Sequence, residues 1–153
     1  MDQPTLDRII ERLLAETGAG RTTLRVEDPA DGGFPIVAEA AAEGVRTLRG
    51  GSVGDLRAAA TFQALERDRR PLVQDDLTDA DPAPPPDLVA LYGARAQMLA
   101  PLSAPDGHLV GIVSVHEVRG PRPWSESDVA ALQRAADELA ALVAAAVTGA
   151  DRG

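Results

Sequence analysis

The chain has no cysteine, lysine or asparagine, and only four aromatic residues, Phe34, Phe62, Tyr92 and Trp124, in 153. Without cysteine there is no thiolate nucleophile, thioether-linked chromophore or Cys-based metal site, and without lysine no Schiff base and no P-loop. The formal net charge is −9, so the basic face that phosphate binding requires is missing, which argues against a nucleic-acid partner. No apolar run is long enough to span a bilayer, which argues against a membrane partner. The opening MDQPTLDRII lacks the basic segment and apolar stretch of a signal peptide. A cytoplasmic protein is therefore expected.

The length fits a single domain over residues 1–153, with a core at about 5–148 and a short tail at 149–153. Leu6, Ile9, Ile10, Leu13 and Leu14 recur at helical spacing and predict an amphipathic helix over 5–17, closed by Gly18. Residues 22–27 and 35–41 read as a hairpin around Pro29, Asp31, Gly32 and Gly33. Asp55 offers an N-cap for a helix to about Arg69, and Leu72-Val73-Gln74-Asp75 reads as an edge strand. Residues 79–87 carry four prolines, which cannot pair in a sheet, and form a candidate lid. A short helix over 87–92 and two long strands over 95–102 and 108–118 follow, the strands joined around Asp106-Gly107. Ser125-Glu126-Ser127-Asp128 has the form of a capping box and starts a helix to about Val147. The order implies an α+β domain with one antiparallel sheet and helices over its faces.

Several segments in this order resemble the GAF domain family of sensor domains across roughly Leu6 to Val147. They are Arg70-Pro71-Leu72-Val73-Gln74-Asp75-Asp76, Leu99-Ala100-Pro101-Leu102, the run from Gly107 to His116, and Trp124 with its serine cap. The resemblance implies terminal helices together on one sheet face, and short helices and loops enclosing a pocket on the other. Along 109–117 the even positions Val110, Ile112, Ser114 and His116 hold the polar groups and are assigned to the pocket face; the odd ones, Leu109, Gly111, Val113 and Val115, are assigned to the helix face. A turn centred on Asp106 sets Met98 opposite Ser114 and Ala100 opposite Ile112. The expected floor is Met98, Ala100, Ser114 and His116, with Arg25, Phe62 and Tyr92 as further ligand-binding candidates.

This strand also resembles the chromophore-pocket strand of phytochrome GAF domains, in which the residues matching Ser114 and His116 touch the ligand. With no cysteine for a bilin link and no counterpart of the upstream chromophore motif, a photoreceptor is set aside. The Asn-Lys-Phe-Asp-Glu signature of cyclic-nucleotide binders cannot occur here, and the cysteine-dependent methionine sulfoxide reductases of this fold are excluded. His116 is read chiefly as a satisfied core histidine, with a polar ligand contact close behind and haem ligation less favoured. Arg25 is expected to pair with Glu39 across the first hairpin, the alternative being an arginine that binds a carboxylate or phosphate. Asp76 is read as a loop cap and Trp124 as an anchor. Asp75 and Asp76 diverge on an extended segment and make no acid/base pair.

The terminal helices have broad apolar faces, which suggests a homodimer through Leu6–Leu14 and Leu132–Val147. These readings point to a non-catalytic small-molecule sensor of unknown ligand that signals to a separate output protein. The alternatives are an interaction module with a self-filled pocket and, behind it, a haem or redox sensor using His116.

Overall fold

The computed structural model describes residues 2–151, with side chains described for 2–146. Its core is a five-stranded antiparallel sheet in the order β2-β1-β5-β4-β3. The strands are β1 (Arg21–Val26), β2 (Ile36–Ala41), β3 (Leu72–Gln74), β4 (Ala96–Ser103) and β5 (Leu109–Glu117). The helices are α1 (Gln3–Thr17), α2 (Ala60–Asp68), α3 (Pro86–Ala90) and α4 (Glu126–Asp151). Residues 149–151, read as tail, continue α4, and the Val147 side chain lies outside the described residues.

α1 and α4 cover one sheet face because their apolar residues recur every three or four positions. Leu6, Ile9, Ile10 and Leu13 of α1 pack with Leu132, Ala135, Leu139 and Val143 of α4 onto Leu24, Met98, Ala100, Val113 and Val115. α1 ends where Gly18 adopts φ 62° and donates its N–H to Leu14 O at 2.8 Å, a conformation glycine takes at little cost. α4 begins with the reciprocal box expected: Asp128 N donates to Ser125 Oγ (3.1 Å) and Ser125 N to Asp128 Oδ2 (3.0 Å). Trp124 anchors this start to the edge strand, its Nε1–H donating to Gln74 O at 3.1 Å.

The helix expected over 55–69 is two pieces. Asp55 Oδ1 accepts from Arg57 N and closes a 3-10 turn over Leu56–Ala58; Ala59 is then extended before α2 begins. This break lets Arg57 reach Glu27 and the carbonyl of Gly32 while Phe62 and Leu65 turn onto the sheet.

The hairpin of β4 and β5 departs from the expected register for an identifiable reason. Next to the turn, Ser103 pairs with Leu109, as a turn centred on Asp106 demands, but Leu102 pairs with Gly111. Val110 is thus an extra residue, a β-bulge, and every pair beyond it shifts by one. Met98 opposes Val115 and Ala100 opposes Val113, so both point to the helices and lie in that core, not on the pocket floor. Leu109 and Val110 exchange faces too: Leu109 packs with Phe34, Phe62 and Ile112, and Val110 against the helix-side core. Gly111 makes room for backbone rather than for a helix, since a Cβ there would sit 2.8 Å from Arg25 O.

The buried apolar residues of α1 and α4 pack onto the sheet and one another. Among the described residues, Val73 and Leu91 are the exposed large hydrophobics, and neither lies on α1 or α4. The outward side of the pair is charged, with Arg12 bonded to Glu138 and Arg134 to Glu16. No helix is long and apolar enough to cross a membrane among the described residues.

Candidate functional site

On the face away from α1 and α4, the sheet, α2 and the chain around Pro85 and Leu88 enclose a cavity of about 40 Å³. Strand pairing orders its floor. Arg21, His116, Gln97 and Gln74 fall in one line across β1, β5, β4 and β3; Thr23, Ser114 and Leu99 form the next, and Arg25 lies opposite Ile112 in the third. The residues that β4 supplies to the cavity are therefore Gln97 and Leu99, in place of Met98 and Ala100. Phe62 and Leu65 close it from α2, and Leu48, Val53 and Leu56 from the preceding segment.

The first line is a chain of hydrogen bonds with one open link. Arg21 is wholly buried, and its guanidinium donates from Nη1 to Arg46 O (2.6 Å) and from both terminal nitrogens to Tyr92 O (3.2 Å). Its Nε–H donates to His116 Nδ1 at 3.0 Å, which leaves the imidazole proton on Nε2. Burial, with the charges of Arg21 and Arg25, holds His116 well below its usual pKa, so the ring is neutral. On the other side, Gln74 Nε2 donates to Pro82 O (2.7 Å) and Gln97 Nε2 to Gln74 Oε1 (2.8 Å). That sequence of donors fixes the Gln97 amide so that Oε1 is the end with no partner. Thr23 Oγ1 is likewise buried and without a partner, which costs about 1–3 kcal/mol for each such group unless something binds it.

Each sequence-predicted residue now has a place. Ser114, His116, Phe62 and Arg25 line the cavity. Arg25 does not pair with Glu39: that carboxylate lies opposite Thr23 and accepts the backbone N–H of Leu48 and Arg49, while Arg25 Nη1 donates to Phe34 O at 2.7 Å. The hairpin pairs two residues out of the expected register, Thr23 with Glu39, and a further shift between Leu24 and Arg25 sets Arg25 opposite Ile36. Tyr92 is not a lining residue. It packs with Leu48, Leu77 and Leu88 beneath the guanidinium of Arg46, 4.8 Å from its ring centre. Asp76 caps its loop, accepting from Thr78 N at 2.9 Å.

Sequence reasoning passed over Arg21, Thr23 and Gln97. A signal existed in the alternation of Arg21, Thr23 and Arg25 with Thr22, Leu24 and Val26, which makes one polar strand face. Among the described residues no cluster of three or more His, Asp or Glu is placed to hold a metal ion.

The family profile of the GAF domain matches residues 3–143, nearly the whole chain. The chain belongs to the GAF domain family. No curated protein matches it. Among solved structures, this GAF domain is similar to the blue-light absorbing form of the PixJ GAF domain from Thermosynechococcus elongatus, with 18% identity, TM-score 0.74 and coverage of 98% of this chain and 89% of that one. It is also similar to a far-red absorbing dark state with bound biliverdin IXa (20% identity, TM-score 0.74, coverage 95% and 91%). A third is a phycocyanobilin-bound GAF domain from a cyanobacterial phytochrome (18% identity, TM-score 0.73, coverage 93% and 84%). At these identities the likeness shows the fold. It also corrects the treatment of bilins above: domains with this fold hold biliverdin and phycocyanobilin. The missing cysteine removes a thioether to this GAF domain's own side chains, and is no ground for setting bilins aside.

Proposed function

We propose that this GAF domain is a non-catalytic sensor module that takes up a small molecule in the cavity between the sheet, α2 and the proline-rich loop. The observation that carries this reading is that two of the residues lining the cavity, Gln97 and Thr23, each hold a buried polar atom without a partner, Gln97 Oε1 and Thr23 Oγ1. A purely structural core would have paired or replaced them. The non-catalytic part is supported by hydrogen bonding around His116. Its Nδ1 is taken up by Arg21, and among the described residues no serine or threonine hydroxyl bonds to the ring, so no nucleophile and base pair is assembled.

Output through the terminal helices is the matching proposal. α1 and α4 pack on the opposite face of the same strands, so β4 and β5 present Gln97, Ser114 and His116 to the cavity and Met98, Val113 and Val115 to the helices. A homodimer through these helices would meet across the charged rows holding Arg12, Glu16, Arg134 and Glu138. Native mass spectrometry and an absorption spectrum of freshly purified protein test the reading. An added mass lost on denaturation, and lost in Gln97→Met, supports it; a bare mass together with higher stability on filling the cavity by Ser114→Val overturns it.

A further inference from the structure

Resting on the sensor reading above, we infer that the ligand is a small carboxylate carrying one hydrogen-bond donor, a two-carbon hydroxy acid of the size of glycolate. Three features of the cavity lead to this class. Size is the first: about 40 Å³ accommodates about three waters at roughly 10–15 Å³ each, or about 90 Å³ of liquid at roughly 30 Å³ per water, the room of a ligand of about five non-hydrogen atoms.

Charge is the second feature. Arg25 lines the cavity and Arg21 stands behind it, and among the described residues neither is in ion-pair contact with a carboxylate. The carboxylate whose field they share is Glu39, and both its oxygens are occupied by the N–H groups of Leu48 and Arg49. With His116 neutral, the site holds two guanidinium charges against one carboxylate. An anion restores the balance, and the Arg25 fork suits a carboxylate.

The hydrogen-bond inventory is the third. Among the described residues the wall offers the donors His116 Nε2–H and the Arg25 N–H groups not used on Phe34 O, with the hydroxyls of Thr23, Thr61 and Ser114 able to donate or accept. A carboxylate accepts from these. The one fixed acceptor is Gln97 Oε1, directly across from His116 and unable to turn because Gln74 holds its amide nitrogen. It requires a donor on the same ligand, which a hydroxyl supplies. A hydroxy acid lying over Thr23 and Ser114 thus bridges Arg25 to Gln97 and closes the open link of the hydrogen-bonded line to Pro82 in the loop above.

Isothermal titration of the full chain with glycolate, acetate and glycolamide tests this, since acetate lacks the donor and glycolamide the charge. Glycolate is expected to bind at least about tenfold more tightly than either, each loss being worth about one buried hydrogen bond or more. In Gln97→Met glycolate falls to the level of acetate, and in Arg25→Gln to that of glycolamide, with thermal melts confirming both variants folded. Equal binding of all three probes, or none of glycolate, overturns the proposal, and the wild-type comparison suffices if a variant does not fold. Where glycolate fails but native mass spectrometry finds another molecule retained, the sensor reading survives and this ligand class falls. A bare mass with no binding of any probe removes both.

Discussion

Arg21 donates its Nε–H to Nδ1 of His116 at 3.0 Å, so a wholly buried cation sets the tautomer of a buried imidazole. The pair leaves the imidazole proton on Nε2, while burial and the nearby arginine charges set the sign of a pH effect.

An unfolded histidine titrates near 6.5, whereas folded His116 is held well below that value by burial and the nearby arginine charges. The unfolded chain therefore binds more protons below pH 6.5, and stability contributed by the neutral ring is complete above that pH and lost as pH falls beneath it. The limiting slope is about 1.4 kcal/mol per pH unit. Urea denaturation from pH 7 to 5 is expected to show this slope in the wild type and a shallower one in His116→Gln; equal slopes would contradict the neutral, buried state. Imidazole ¹⁵N shifts should report the Nε2–H form.

Removing Arg21 should be costly although among the described residues it takes part in no ion pair. Arg21→Ala leaves the carbonyls of Arg46 and Tyr92 and the ring of His116 without their donor and opens a void beside them. A loss of about 3 kcal/mol or more in chemical denaturation is expected, and a loss below about 1 kcal/mol would mean that water replaces the guanidinium.

Glu117 behaves as an acid-labile clamp. It is 3% exposed, and burial on its own would raise its pKa. Hydrogen bonds from Arg119, Arg122 and the backbone of Val118 outweigh this and bring it to about 2, from 4.5. The folded pKa is depressed, so its contribution is present above pH 4.5 and lost as pH falls towards 2. It amounts to at most about 3 kcal/mol. Wild type and Glu117→Gln should differ most at neutral pH and converge on acidification in a denaturation series.

The one-residue register shift separates two neighbouring side chains. Met98→Ala should destabilise by about 2–5 kcal/mol by opening a void against α1 and α4, while leaving cavity binding unchanged. Leu99→Phe should intrude on the cavity and abolish binding with a smaller effect on stability. A reversal of these two phenotypes in paired melting and titration experiments would restore the unbulged register.

The elements whose periodicity or capping chemistry is local were legible in the sequence. Leu6 through Leu13 announce α1, and Ser125 with Asp128 makes the same reciprocal bonds that the sequence pattern suggests. The cavity was legible only in part, because facing residues are set by register, and register depends on bulges that leave no compositional mark. Val110 is an ordinary β-former in an apolar run, yet it moves Met98 and Ala100 off the floor and puts Gln97 and Leu99 there. Arg21 was hidden differently: a charged residue at a strand start reads as solvated, and its partners are backbone carbonyls from Arg46 and Tyr92, which no side-chain pattern encodes.

The bulge at Val110 also decides what stands at the turn end of the cavity. By putting Leu109 in the same layer as Ile112, it sets an apolar stopper against Phe34, Phe62 and Leu65 at the hairpin end. The inner cavity and the wide cleft beside the β1–β2 turn share Arg25 and Leu56 in their walls. The stopper and the Arg25 guanidinium thus stand together at the turn end of the chamber, with His116 two lines further along the sheet, so whatever enters from the cleft meets a positive charge before it meets the histidine.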